Sequence, residues 1–168
     1  MDLDLTIRSG GQSGVDRAAL DAALALGLRV AGWCPAGRWA EDGPIPPRYP
    51  LRETAASAPE VRTRLNVRDA DATLILSPQP LAGGTERTRA EAERLGRPVL
   101  VVDPFHEGAV PEAVAFVASH LASGPLDLNV AGPRESEAPG MYAASRAVLS
   151  QVFDRLEAGR LGAGYSSR

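Results

Sequence analysis

Two short glycine-rich segments carry the residue types best suited to binding an anion. The first, Ser9–Arg17, reads Ser-Gly-Gly-Gln-Ser-Gly-Val-Asp-Arg, and the second, Leu81–Glu86, reads Leu-Ala-Gly-Gly-Thr-Glu. Each follows an apolar, strand-like run and leads into a helix-forming run, so each should place free backbone N–H groups at a helix N-terminus. The positive end of a helix dipole favours a phosphate or carboxylate there. We therefore predict that this chain binds a small anionic, phosphate-bearing ligand.

The two turns are expected to lie at neighbouring strand ends. They would then hold two ends of one ligand, or one phosphate from both sides. Thr85 would cap the second helix and donate its hydroxyl. The spacing lacks the G-x-G-x-x-G pattern, and no acidic residue ends the second strand, which disfavours a nicotinamide dinucleotide. The residues predicted to contact phosphate are Gly10, Gly11, Gln12, Ser13, Gly14, Gly83, Gly84 and Thr85.

Charged side chains in other segments that follow strands are predicted to hold the rest of the ligand. Asp16 and Arg17 lie on the first turn of the first helix, where they form either a surface pair or a ligand contact. A proline-rich loop, residues 34–50, and a Gly-Pro step supply planar guanidinium groups and carboxylates. Asn66 and Asn129 are assigned to backbone capping in preference to ligand binding. The predicted head-group contacts are Arg38, Glu41, Asp42 and Arg134.

Composition excludes several classes of protein. All 18 basic side chains are Arg, so a Walker-type nucleotide-binding loop and Schiff-base chemistry, which both need a lysine, are ruled out. The net charge of −3 and the few aromatic residues argue against a nucleic-acid partner. A single cysteine, Cys34, and two histidines in separate segments form no metal-ligand pattern, and no catalytic residue is assigned.

Strand-like and helical runs alternate along the chain and would position these turns. Such alternation predicts an α/β fold, a Rossmann-like three-layer sandwich with a parallel sheet of about five strands. One ligand-binding domain is expected over residues 1–158, with a disordered tail over 159–168. No signal peptide or membrane-spanning run is present, so we expect a cytoplasmic protein. The predicted strands are 3–8, 28–33, 72–76, 98–103 and 126–131, and the predicted helices are 14–26, 59–69, 85–95, 111–121 and 140–157.

Several short sequence motifs, taken together, identify a protein family more specifically than any one of them does. They resemble the molybdenum cofactor carrier protein family in the same order, from residue 6 to about residue 150. The resemblance implies a Rossmann-like fold, a homodimer or homotetramer, and molybdenum cofactor (a phosphorylated molybdopterin) as cargo. Storage or delivery makes and breaks no bond, so the resemblance implies a carrier and not an enzyme. The motifs that carry the resemblance are Ser9–Arg17, Gly32–Arg38, Ala40–Pro46, Arg48–Pro50, Asn66–Asp69, Gly83–Thr85 and Leu128–Glu135.

The wider superfamily is similar to the lysine-decarboxylase-like proteins and the nucleoside monophosphate phosphoribohydrolases. Those enzymes carry a Pro-Gly-Gly-x-Gly-Thr-x-x-Glu motif. Residues 82–86 lack its proline, its separating glycine and the spacing of its glutamate. The alternative hypothesis is a nucleotide-binding hydrolase or sensor, in which Glu41, Asp42 or Glu86 acts as general base.

Overall fold

The computed structural model describes residues 3–165, with side chains as far as residue 162. Its centre is a five-stranded parallel sheet. β-Branched and other aliphatic residues predominate in these strands, as expected for a sheet covered on both faces. The sheet strands are β1 (Leu5–Arg8), β2 (Arg29–Ala31), β7 (Ala72–Leu76), β8 (Val99–Val102) and β9 (Leu126–Ala131), and the short strands between them are β3 (Trp33–Cys34), β4 (Trp39–Ala40), β5 (Gly43–Pro44) and β6 (Arg52–Glu53).

Helices cover both faces of the sheet. The helix over 141–165 packs against those over 15–25 and 109–121, and the helix over 59–69 packs against that over 83–94. The prediction of an α/β, Rossmann-like three-layer sandwich is confirmed. In chain order the helices are α1 (Val15–Ala25), α2 (Pro59–Asp69), α3 (Gly83–Arg94), α4 (Ala109–Leu121) and α5 (Met141–Tyr165).

The order of strands across the sheet is β2-β1-β9-β7-β8. Strand β9 therefore separates β1 from β7, with Ile7 paired to Leu128 and Leu74 paired to Val130. The expectation that the two glycine turns follow neighbouring strands was wrong for this reason. Helix α4 returns the chain from the sheet edge to its middle, and the local sequence pattern contains no signal for that return.

Helix α5 continues beyond the predicted end of the domain at residue 158. The predicted tail, residues 159–168, begins inside α5, which runs to Tyr165, and residues 166–168 lie outside the described residues. Leu156 is 7% exposed, so core packing anchors the turn just before the tail, and Ala and Arg residues favour its continuation as a helix. Within residues 3–165 no helix is both long and apolar enough to cross a bilayer.

Candidate functional site

A cleft opens where the carboxyl ends of β1, β9 and β7 meet the first turns of α1 and α3. We call it the central cleft; its cavity volume is about 60 Å³. Ligands of open α/β sheets bind at such strand ends, where successive connections leave in opposite directions. Past Thr85 and Glu137 the cleft continues into a hollow beside Pro78 and Gly83. Six predicted residues line the central cleft, namely Gly10, Gln12, Asp16, Gly84, Thr85 and Arg134.

The first turn, residues 9–14, uses several of its backbone N–H groups within the protein. The amide of Gln12 donates to the Asp16 carboxylate at 3.3 Å, and the amide of Ser13 donates to Oε1 of Gln12 at 3.0 Å. At the start of α1, the amide of Val15 donates to the carbonyl of Pro133 at 3.3 Å. Because these donors are already satisfied, they are not available to an incoming phosphate.

Five more of the predicted residues line a separate concavity, which we call the side groove: Ser13, Gly14, Arg17, Glu41 and Asp42. Charged groups there bind one another. Arg17 donates from both terminal nitrogens to Asp42 at 3.1 Å and also to the carbonyl of Gly11 at 3.0 Å. Ser13 donates its hydroxyl to Glu41 and accepts the amide of Glu135 at 3.1 Å. The side groove thus joins the first turn to the proline-rich loop.

A second set of contacts in the side groove centres on Asp21. Its carboxylate accepts hydrogen bonds from the hydroxyls of Tyr49 at 2.6 Å and Tyr142 at 2.8 Å. Burial and the bond to Asp21 raise the pKa of both phenols. Both concavities hold internally paired charges, and the side groove is the larger, but the central cleft also holds polar donors without partners, so we place the candidate site there.

The carboxylate of Glu41 is tightly held between two serines. Partial burial alone would raise its pKa, but hydrogen bonds from Ser13 and Ser136, together with the amide of Ser136 at 3.1 Å, lower the pKa below its usual range. Such a carboxylate stays ionised at neutral pH. It is a weak proton acceptor and a poor candidate for a general base.

Three of the predicted residues line neither concavity: Gly83 lines the hollow beside the central cleft, and Gly11 and Arg38 line none of these spaces. A Cβ on Gly11, whose φ is +79°, would lie 2.7 Å from Leu51 Cδ1, so this glycine is needed for packing beneath the proline-rich loop. Arg38 donates to the carbonyls of four loop residues, at 45, 46, 49 and 51, over 2.9–3.1 Å. The structure thus places Arg38 as the internal support of the loop, whereas the sequence had suggested a head-group contact.

The second turn, residues 82–85, is open. Helix α3 begins at Gly83 without a side-chain cap, and the first helical bond runs from the amide of Glu86 to the carbonyl of Ala82. Across residues 3–165, the amides of Gly83, Gly84 and Thr85 have no acceptor. Thr85 is 5% exposed, and its hydroxyl, which faces the cleft, also lacks a partner in this part of the chain. These donors lie together at the start of α3, with Gly84 and Thr85 lining the central cleft and Gly83 and Thr85 lining the hollow.

Sequence reasoning missed Arg62, which projects from α2 into the central cleft. Its Nη1 donates to Asp16 at 2.8 Å, and its side chain is 14% exposed. A Cβ on Gly10 would lie 1.6 Å from that nitrogen, so the absence of a side chain at Gly10 makes room for the guanidinium. In the sequence Arg62 resembles the other arginines of a charged surface helix, and no local signal distinguishes it.

Other polar residues at the cleft have visible partners. Asn66 accepts from the amide of Trp33 at 2.8 Å and donates to its carbonyl at 3.0 Å, as its predicted capping role requires. Asn129 is 2% exposed and donates to the Thr73 hydroxyl at 3.4 Å. Glu137, another residue that the sequence analysis did not select, binds Nε of Arg134 at 3.1 Å.

Metal-ligating side chains do not cluster in the described part of the chain, which holds no group of three His, Cys, Asp or Glu residues suited to a metal ion. Cys34 is buried in a small apolar cluster with Ile45, Tyr49 and Leu51. Burial raises the pKa of its thiol, so the thiolate form that binds metals is disfavoured.

Comparisons with known proteins agree with this architecture. Residues 7–153 match the profile of the circularly permutated YpsA SLOG family. Among solved structures, the crystal structure of the "Putative molybdenum carrier protein" from Syntrophus aciditrophicus SB is similar, with 38% identity and a TM-score of 0.81 over 88% of this chain and 93% of that chain. No curated protein matches the chain. The resemblance predicted from the sequence is therefore confirmed at the level of family and fold.

Proposed function

Because the chain belongs to the circularly permutated YpsA SLOG family, we propose that it carries phosphorylated molybdopterin in its central cleft and releases it unchanged. The name of the similar solved protein refers to a molybdenum carrier, which supports a molybdenum-containing cargo. The proposal includes a homodimer or homotetramer in the cytoplasm and a single ligand-binding domain. It makes the cofactor a cargo, with no bond formed or broken.

The observation that carries this proposal is the group of unpaired donors at the second turn. The amides of Gly83, Gly84 and Thr85 and the hydroxyl of Thr85 all belong to the first turn of α3, at its positive end, where Gly84 and Thr85 line the central cleft and Gly83 lines the adjoining hollow. A helix end alone stabilises an anion by about 0.3–2 kcal/mol, so side chains must supply much of the affinity. The hydroxyl of Thr85 supplies one such contact, since hydrogen bonds to charged acceptors are stronger than those between neutral groups.

The rest of the cargo would extend from the phosphate into the adjoining hollow. A pterin edge presents a row of hydrogen-bond donors and acceptors. Glu137 lies at the passage between the cleft and the hollow, and its partner Arg134, at 3.1 Å, lines the cleft, so the pair offers both kinds of group. This placement supports recognition of a polar heterocycle beside a single phosphate.

The carboxylates suggested as general bases argue against the hydrolase alternative. The pKa of Glu41 lies below its usual range, and the hydrogen bond from Arg89 likewise lowers the pKa of Glu86. Asp42 is bound by both terminal nitrogens of Arg17. A general base that works near neutral pH needs the opposite shift, towards 7. We therefore favour the carrier over the hydrolase.

The proposal is tested by anaerobic calorimetric titration of the protein with molybdenum cofactor. Wild type should bind saturably, and Gly84→Glu should abolish binding because a carboxylate would occupy the space before the free amides. The matched control is Gly159→Glu, which adds the same charge on α5, where a Cβ would also meet nothing within 4 Å. Absence of binding by the wild type would refute the carrier function.

A second titration, with a panel of nucleoside monophosphates, separates the alternatives. Chromatography of each mixture should detect no free base if the protein is a carrier. Release of base would indicate a hydrolase. Tighter binding of a nucleotide than of the cofactor, without release of base, would indicate a nucleotide sensor.

A further inference from the structure

Arg62 makes one hydrogen bond although its guanidinium group carries five N–H donors. That bond joins Nη1 to Asp16. Its Nε is buried and has no hydrogen-bond partner within residues 3–165. Buried N–H groups of this kind are uncommon in native structures and call for an explanation, such as a ligand or a functional role.

Two nitrogens of Arg62 with unpaired donors, Nε and Nη2, lie on the same side of the guanidinium. Nε and Nη2 form the side-on pair that binds two oxygens of a carboxylate or phosphate in parallel. Asp16 occupies the other nitrogen, so it holds the group without blocking this pair. Salt bridges elsewhere show the side-on pair in use: Arg8 binds Asp127 through Nε at 2.9 Å and Nη2 at 2.7 Å.

The other arginines near the first turn and the cleft are already engaged through Nε. Arg134 donates from Nε to Glu137 at 3.1 Å. Arg17 donates from Nε and Nη2 to the carbonyl of Gly11 at 3.2 and 3.0 Å. Arg62 thus differs from both, because its side-on pair has no acceptor within the described residues.

We propose that Arg62 binds two anionic oxygens of the ligand through Nε and Nη2, while Asp16 holds Nη1 as a positioning residue. This inference rests on the proposed function, since it takes the central cleft as the anion site. Nε itself is buried although Arg62 lines the cleft, so the contact requires the guanidinium to rotate. The phosphate would then lie between Arg62 on α2 and the free amides of α3, two helices that pack together.

Asp16 is suited to that positioning role. Its side chain is 7% exposed and accepts both Arg62 Nη1 and the amide of Gln12. The first turn thereby anchors the cation that serves the second turn. Gly10 completes the arrangement, because any side chain there would displace the guanidinium.

Titration with inorganic phosphate tests the inference, with Arg62→Lys, Arg62→Gln and the matched control Arg64→Lys, at an exposed arginine of the same helix that does not line the cleft. Lysine keeps the positive charge but cannot bind in a side-on, bidentate manner. We expect both Arg62 variants to bind phosphate at least about tenfold more weakly than wild type, and Arg64→Lys to change affinity by less than about threefold. Asp16→Asn should weaken phosphate binding by a factor between those expected for the control and for the Arg62 variants.

A purely structural Arg62 would give a different result. Arg62→Gln would then lower the urea midpoint of unfolding and leave phosphate affinity unchanged, which would overturn the proposal. Wild-type protein offers a test without substitution, because phosphate should shift the ¹⁵N–¹H resonance of Arg62 Nε. No phosphate binding by wild type, or no such shift, would also overturn it.

The outcome is separable from that of the proposed function. If the protein binds phosphate through Arg62 but does not bind molybdenum cofactor, the inference stands and the carrier function fails. If cofactor binding depends on Gly84 but is equal in wild type, Arg62→Lys and Arg62→Gln, the carrier function stands and the inference fails.

Discussion

The first and second glycine turns look alike in sequence and differ in their hydrogen bonding. Both join a sheet strand to a helix, and both contain a Gly-Gly pair. In the first turn, the amides of Gln12 and Ser13 are satisfied by nearby side chains, while those of Gly10, Gly11 and Gly14 have no acceptor within the described residues. In the second, the amides of Gly83 and Gly84 remain without acceptors in the described residues. A glycine-rich turn before a helix is therefore a potential anion site, and the neighbouring acceptors decide whether its donors stay available.

The first turn contributes to the cleft in another way. Its side chains and carbonyls hold Arg62 and Arg17, and through Ser13 and Glu41 it meets the proline-rich loop. The second turn contributes its backbone N–H groups directly. The first turn thus positions side chains, while the second presents N–H groups. Substitutions in the two turns should therefore have different effects on stability and on ligand binding.

Adding a methyl group to the first turn should have the largest effect. Gly14 has a φ of +76°, and a Cβ there would lie 2.4 Å from the backbone oxygen of Pro133. Neither atom can move cheaply, so Gly14→Ala should lower the free energy of unfolding by about 3 kcal/mol. Urea denaturation measures this loss. A variant as stable as wild type would show that the first turn is not constrained.

The same methyl group in the second turn should spare stability and weaken binding. A Cβ on Gly84 would meet nothing within 4 Å. Alanine also favours helix by up to about 1 kcal/mol relative to glycine, so unfolding should be unchanged or slightly harder. Gly84→Ala should weaken phosphate binding by about tenfold, measured by calorimetry, because the methyl lies before the free amides. Equal affinity in variant and wild type would place the anion elsewhere.

Two hydroxyls extend the comparison. Thr85→Val removes a hydroxyl that has no partner in residues 3–165, so stability should hold while phosphate affinity falls by about fivefold to tenfold. Ser13→Ala removes a hydroxyl bonded to Glu41 and to the amide of Glu135, so it should lower stability by about 1 kcal/mol and leave affinity within about twofold. Calorimetry and urea denaturation on both variants check this. If Thr85→Val lost stability and Ser13→Ala lost phosphate affinity, the first turn would bind the anion and the second would have the structural role.

The smallest effect should come from acidification. Because the folded protein holds the pKa of Glu41 below its usual value of about 4.3, the ionised carboxylate stabilises the fold above that pH, and this contribution is lost as pH falls through the lowered pKa. Glu41→Gln should be less stable than wild type at pH 6 by about 1 kcal/mol or less, because the group is partly exposed. The difference should shrink by pH 3.5 in urea denaturation. A constant difference would remove Glu41 as the cause.

Much of the fold could be predicted from local sequence. The apolar runs 72–76 and 126–131 are strands β7 and β9 with the predicted bounds, and the helix over 59–69 also has its predicted bounds. Such elements follow from periodicity and propensity within a few residues. The position of β9 between β1 and β7 could not be predicted, because it depends on a long-range return of the chain.

The candidate site was less predictable than the fold. Glycine turns and strand ends indicated its location, since parallel strands bring their carboxyl ends to one edge. Pairing between distant side chains was not visible. Arg38 is used by four loop carbonyls, whereas Arg62, an ordinary residue in its local sequence, reaches Asp16 across 46 positions.

The central place of β9 bears on how this protein is made. Residues 126–131 leave the ribosome after β1, β2, β7 and β8, yet they supply the strand that joins β1 to β7. Until they emerge, the nascent chain has two unpaired inner strand edges, which are prone to wrong pairing. A prematurely terminated polypeptide therefore cannot assemble the floor of the cleft, so the central cleft forms only in chains whose synthesis is nearly complete.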